Sequence, residues 1–163
     1  MIKHSVLIIS YNQEKCIANA IECLLIQQEF LYEIVISDDC SQDNTWDVIS
    51  GYFLKFPNLI KHFRQEHNLG IFKNLEYGLS KLSGDVISIL SGDDTLNDGV
   101  FKEMNRLIEE NHIDVNNDCF NVVFNHEIVN PNGSVKLIDN SNELESLQNQ
   151  FSYKLLKLEL LIW

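Results

Sequence analysis

Two adjacent carboxylates, Asp93 and Asp94, close the run Val86-Ile-Ser-Ile-Leu-Ser-Gly-Asp-Asp-Thr95. The apolar part of that run is short, rich in large aliphatic residues and stopped by Ser91-Gly92, which predicts a buried strand rather than a helix. Like charges side by side repel, and burying either one unpaired is costly. A divalent cation relieves both problems, and hard oxygen donors suit Mg²⁺ or Mn²⁺. A second acid pair, Asp38-Asp39, follows the run Tyr32-Glu-Ile-Val-Ile-Ser37, and Ser10-Tyr11-Asn12 ends a third, Ser5-Val-Leu-Ile-Ile-Ser10. Ligands of open α/β sheets bind beyond the carboxyl ends of the strands, and parallel strands put all three segments on that edge. There Tyr11 offers a ring face for a nucleobase. Asp39 can accept hydrogen bonds from base or ribose, and the last acids can hold a metal that bridges phosphates. Jointly these describe a nucleoside-diphosphate site; singly, each acid pair also reads as a helix cap.

The elements that must position them follow from periodicity. A helix is expected from about Glu14 to Gln27, with Ile17, Ile21, Leu24 and Leu25 at helical spacing and Glu14 favourably placed against the helix dipole. Ser41-Gln-Asp-Asn44 starts a second helix, whose Trp46, like the phenylalanines, is assigned to the core. A third strand is expected over Leu59 to Phe63 and a turn at His67-Asn-Leu-Gly70, with His62 and His67 at the surface. Leu75, Leu79 and Leu82 mark the inner stripe of a third helix, and Phe101, Met104, Leu107 and Ile108 that of a fourth. Strand and helix alternate roughly every 25–30 residues, the rhythm of a parallel α/β sheet. The pattern then changes. Asn121–Val129 and Ser134–Ile138 flank Asn130-Pro-Asn-Gly133 as an antiparallel hairpin, residues 139–150 read as polar loop, and Lys154–Trp163 reads as an apolar helix. The expected division is therefore 1–138 and 139–163.

Composition narrows the function. The chain has 163 residues, 45% apolar, and a formal net charge of −12, which argues against nucleic acid or an anionic membrane as partner. An acidic protein that binds an anionic substrate needs local relief, which a metal supplies. Cys16, Cys23, Cys40 and Cys119 form no close pair and read as free thiols of a reducing compartment. Met1-Ile-Lys-His leads straight into the first strand without a leader, and no apolar run approaches the ~18 residues of a membrane span, so a soluble cytoplasmic protein is expected. A receiver-type Mg²⁺-binding module wants an acid pair after its first strand, where this chain has Ser-Tyr-Asn. A nucleotidyltransferase wants a Gly-rich loop there, and Asn12-Gln-Glu-Lys-Cys16 contains no glycine.

Four segments in order carry a family resemblance. They are Ser5–Asn12 with Ile17, Ile21 and Gln27-Gln28; Ser37-Asp-Asp-Cys-Ser-Gln-Asp-Asn-Thr45; Asn68-Leu-Gly70 with Lys73-Asn74; and Ser91-Gly-Asp-Asp94. Across roughly residues 4–135 the chain resembles glycosyltransferase family 2, whose members have the nucleotide-sugar-binding GT-A fold. The resemblance implies that Ser10 and Tyr11 flank the nucleobase and that Asp39 hydrogen-bonds it, commonly a uracil. Lys73 stands near the donor where the family often has arginine. Asp93 approaches ribose or donor sugar, and Asp94 is the ligand of Mn²⁺ or Mg²⁺. Ser91 replaces the first acid of the Asp-any-Asp motif. The resemblance further implies an inverting transfer from a UDP-linked nucleotide sugar to a saccharide or lipid-linked acceptor. It associates the chain with bacterial surface polysaccharide synthesis, and with the cytoplasm or the inner face of the membrane as a peripheral protein. An inverting displacement needs a general base on the acceptor hydroxyl, which the resemblance implies to be a carboxylate. Nothing after Gly133 matches that region: Asp139, Glu143 and Glu145 read as a solvated loop, so no catalytic base is assigned. A donor-binding domain without transfer activity is the alternative.

Overall fold

Val6, Leu7 and Ile8 are fully buried, as are Ile34, Val35 and Ile36, because both runs lie in the interior of one sheet. They belong to β1 (His4–Ser10) and β2 (Leu31–Asp38), which with β3 (Ile60–Arg64) and β4 (Val86–Ser91) form a parallel sheet of order β3-β2-β1-β4. The computed structural model describes residues 2–118 and, for backbone alone, strands within 120–158. It divides into two units, Met1–Phe101 and Lys102–Trp163.

Helices α1 (Ile17–Leu25), α2 (Thr45–Lys55) and α3 (Ile71–Leu79) complete the first unit. The second of these packs on β3 and β2, the third on β1 and β2, and α1 against α2. The first helix starts later than Glu14 because the residues before it are spent on bonds to a neighbouring loop, described below. Its apolar face is as expected, with Ile17, Ala20, Ile21 and Leu24 fully buried. The inner face of α3 differs from the expected leucine stripe: Asn74 and Gly78 are buried, Leu75 and Leu82 half-buried, and Leu79 37% exposed. A Cβ on Gly78 would lie 2.5 Å from Leu7 Cδ1, so the helix approaches β1 too closely for a larger residue there.

Three expected core positions are also corrected. Trp46 and Phe53 are half-buried and sandwich the His62 ring at centroid distances of 4.7 and 4.3 Å, and Phe72 is 83% exposed. Burial in that stack lowers the His62 pKa. The strand Val86–Ser91 pairs with β1 alone within the four-stranded sheet, and its Ile87 and Ile89 are 49% and 53% exposed rather than covered.

Helix α4 (Val100–Glu110) buries Phe101, Met104, Leu107 and Ile108, as its spacing predicts. In the second unit the expected strand Asn121–Val129 is two strands, β5 (Phe120–Phe124) and β6 (His126–Val129). The latter pairs antiparallel with β7 (Val135–Ile138), which is the expected hairpin; its connecting residues lie outside the described ones. The expected terminal helix is replaced over Lys154–Leu158 by β8, paired parallel with β5. Periodicity alone cannot separate helix from strand in so short an apolar run. Residues 139–153 and 159–163, including Asp139, Glu143 and Glu145, lie outside the described residues.

Away from the carboxyl edge, Glu33 is buried in the sheet and accepts hydrogen bonds from Ser5 Oγ (2.7 Å), Ser83 N (2.6 Å) and Lys61 Nζ (2.6 Å). Burial pushes its pKa up, but these donors outweigh burial and hold it below the ordinary carboxylate value. A lowered folded pKa means stability that is present above the unfolded value and lost as pH falls through the folded one. Glu33→Gln should therefore cost about 1.5–3 kcal/mol at pH 7 and less in acid, which urea unfolding at pH 7 and pH 4 would measure.

Candidate functional site

The register of the parallel sheet sets Ser10 beside Asp38 and Ile9 beside Ser91. The three segments singled out in the sequence therefore leave adjacent strands on the same edge. Their backbones continue to pair past the strands: Asp39 N donates to Ser10 O and Gly92 N to Ile9 O, both at 2.9 Å.

The loops after β1 and β2 are stitched together side chain to backbone. Asn12 N donates to Ser41 Oγ (2.9 Å) and Gln42 N to Asn12 Oδ1 (2.7 Å). Gln13 N donates to Thr45 Oγ1 (2.7 Å), Glu14 N to Asp43 Oδ2 (3.1 Å) and Asn44 N to Glu14 Oε2 (3.0 Å). Glu14 thus serves the start of α2, not that of α1, because its carboxylate reaches the unpaired amides there. Asp43, which also accepts from Thr45 N at 3.0 Å, is held below its ordinary pKa: burial raises it, and the bonds from Thr45 and Glu14 lower it by more. Two non-glycine residues in these loops, Asn12 and Cys40, have φ of 53° and 62°, a conformation that costs about a kilocalorie or more and needs such bonding to persist.

The second acid pair divides its work. Asp38 is fully buried and accepts from Ser41 N (3.0 Å), Ser41 Oγ and Ser10 Oγ (3.3 Å), with Arg64 Nε 3.6 Å away. Arg64 also donates to Ser41 O at 2.6 Å. Asp39, 3% exposed, takes Leu69 N on Oδ1 (2.7 Å) and Gly70 N on Oδ2 (2.9 Å). One bond per oxygen leaves each with further acceptor capacity. Behind them Asn74 binds Ser37 O at 2.9 Å and accepts from Ser37 Oγ at 2.7 Å, fixing α3 to the end of β2.

The first-named acid pair is exposed. Gln13 Nε2 donates to Asp93 Oδ1 at 2.9 Å and approaches Ser91 Oγ at 3.5 Å, and Ser91 Oγ also donates to Asp93 Oδ1. The hydroxyl at Ser91 therefore supports the neighbouring carboxylate where an acid would repel it. Asp94 follows in a turn, its N–H donating to Ser91 O at 3.0 Å. Among the described residues no group of three or more His, Cys, Asp or Glu is set to hold a metal. An exposed pair of carboxylates still fits Mg²⁺ or Mn²⁺ if substrate phosphates and water complete the shell, the usual arrangement for Mg²⁺.

Tyr11 is 44% exposed just past β1, and Ser10 beneath it is buried. Lys73 is exposed in the first turn of α3, three residues past the Gly70 amide that binds Asp39. Sequence reasoning passed over Gln13 and, although it singled out Asp38 and Asn74 within motifs, gave neither a separate role. A lone glutamine in a loop carries no signal, but two successive acids at a strand end point to opposite faces, which was the available sign that Asp38 and Asp39 differ. Cys16, Cys23 and Cys40 are half-buried free thiols, as expected. Among the described residues no helix is long and apolar enough to cross a membrane.

This sheet and its edge define a GT-A-type α/β domain. The crystal structure of residues 1–349 of Staphylococcus aureus TarS in complex with UDP-GlcNAc matches with a TM-score of 0.61 at 29% identity, over 75% of this chain and 34% of that one. A mannosyltransferase from Pyrobaculum calidifontis, solved with GDP-Man and Mn²⁺, shares the fold at 18% identity and a TM-score of 0.57, over 65% and 32% of the two chains. The chain belongs to Glycosyl transferase family 2, whose sequence profile matches residues 5–159. It is 31% identical over 118 residues to the poly(ribitol-phosphate) beta-N-acetylglucosaminyltransferase TarS of S. aureus, covering 71% of this chain and 20% of the relative. It is 30% identical over 120 residues to GalNAc(5)-diNAcBac-PP-undecaprenol beta-1,3-glucosyltransferase of Campylobacter jejuni, covering 73% and 38%. The chain thus spans about a fifth to two-fifths of the length of these two curated relatives. The family assignment sets aside the receiver-type module.

Gly92 is buried against this site, and a Cβ there would lie 2.3 Å from Gln13 Oε1 and 2.9 Å from Ile17 Cδ1. Gly92→Ala should push Gln13 off Asp93 and destabilise the fold by about 1–3 kcal/mol, measurable by thermal or urea unfolding.

Proposed function

We propose that this chain is the donor-binding part of an inverting glycosyltransferase that takes a sugar from a nucleoside-diphosphate donor, UDP-linked, to a saccharide or lipid-linked acceptor. The carrying observation is the meeting of Tyr11, Asp39 and the Asp93–Asp94 pair on one edge of adjacent parallel strands. TarS, of the same family, is solved with UDP-GlcNAc and with UDP, which supports the choice of base.

In this reading Tyr11 and Ser10 flank the base, and Asp39 accepts from its N–H. With the amides of Leu69 and Gly70 bonded to its two oxygens, Asp39 presents acceptors to the base, which suits uracil N3–H and not the acceptor that cytosine presents there. Lys73 faces the donor phosphates, and Asp93, oriented by Gln13, faces ribose or sugar. A divalent cation held by Asp94 would supply Lewis-acid stabilisation of the departing diphosphate. The acceptor hydroxyl attacks the anomeric carbon from the opposite side and loses its proton to a carboxylate base, which we assign to the acceptor region beyond residue 138 and not to any residue named here. The enzyme would act in the cytoplasm, peripherally at the inner membrane face where the acceptor is lipid-linked.

The test is thermal unfolding with UDP, GDP, CDP and ADP, each with and without Mn²⁺. UDP at a hundred times its dissociation constant should stabilise the chain by roughly 2.7 kcal/mol. The metal-dependent part should vanish in Asp94→Asn. No shift with any nucleotide would defeat the proposal.

A further inference from the structure

The segment that carries the acid pair is mostly exposed: Asp93, Asp94, Thr95, Asn97 and Asp98 all face solvent. Such a loop buries too little to define its own course, yet an acid that must meet a cation tolerates displacement poorly. Its near end is gripped by Gln13, on Asp93 and Ser91. Its far end is gripped from the last turn of α1 and the turn that follows it. Gln27 Nε2 donates to Asn97 O at 2.9 Å, and Leu96 N donates to Cys23 Sγ at 3.3 Å. Cys23 lies in the last turn of α1 and Gln27 in the turn that follows the helix, where Gln27 Nε2 reaches Cys23 O at 3.3 Å as well.

We propose that Cys23 and Gln27 form a latch that positions Asp93 and Asp94, referring the exposed acid loop to the packed core of α1. Neither residue touches substrate; both act through the loop backbone.

Two further features support this role over incidental packing. Gln27 is 1% exposed, and its Oε1 has no hydrogen-bond partner, as is also true of Gln13 Oε1. At both ends of the loop a glutamine spends its amide N–H on the acid segment and leaves its carbonyl oxygen unsatisfied, a cost that the loop contact helps to offset. All three grips are also uncharged. The Cys23 thiol donates to Ala20 O at 3.2 Å, and burial pushes its pKa up, so it stays protonated. A lysine or arginine in any of these places would pair with the carboxylates and compete with the cation.

The proposal rests on the donor reading for its binding arm only. Amide hydrogen exchange of the unliganded chain tests the latch itself, and UDP affinity with and without Mn²⁺ tests its purpose. In Gln27→Met and in Cys23→Ala, exchange at Leu96 should rise about tenfold or more while β1 and β2 stay protected. Metal-dependent UDP affinity should fall about tenfold, with metal-free affinity unchanged. Cys23→Ser keeps donor and acceptor and should restore both. Unchanged exchange at Leu96, or equal losses of affinity with and without metal, would overturn the proposal. If the unsubstituted chain binds no nucleotide, the donor reading falls, and exchange at Leu96 alone upholds or overturns the latch.

Discussion

At the carboxyl end of β2 a fully buried carboxylate, Asp38, is surrounded by donors from Ser10, Ser41 and Arg64. An unpaired charge in that position would cost several kilocalories per mole, so the donors and the loops that bring them must fold together. Ser10 ends β1, Ser41 opens the turn before α2, and Arg64 ends β3. One carboxylate thus fixes the relative position of three strand ends, and its neighbour Asp39 emerges on a base already set. The stitched loops 12–14 and 41–45 extend the same constraint outward.

Much of this was legible from residue types. Apolar runs such as Val6-Leu-Ile and Ile34-Val-Ile mark interior strands because only a doubly covered sheet hides every residue. The alternation with helices then requires parallel strands, so three strand-end motifs had to share an edge. The two acid pairs stood out because adjacent like charges at strand ends need partners, which Asp38 finds in Ser41, Asp39 in the Leu69 and Gly70 amides, and Asp93 in Gln13.

What escaped was governed by contacts that no period records. Asn74 takes the buried face of α3 because Ser37 and Gln65 need a polar partner, which outweighs the leucine stripe at 75, 79 and 82. Glu14 turned to α2 because free amides lay within reach across the loops. Lys154–Leu158 reads equally well as helix or strand, and its pairing with a strand some thirty residues earlier decided the matter. Gln13 and Gln27 carry no charge and no rhythm; only the partners that folding brings them give them meaning.

The exposed isoleucines of β4 have a consequence for handling the chain. Among the described residues, Ile87 and Ile89 lie on a strand with one ladder partner, the arrangement that invites edge-to-edge association between molecules. Asp85 and Asp93 bracket that strand as gatekeepers, and the net charge of −12 keeps copies apart. Colloidal stability is therefore electrostatic, strongest in dilute salt near neutrality and eroded by high ionic strength or by acid that protonates the carboxylates. The acids at the two ends of β4 thus also discourage its pairing with a second copy of the chain.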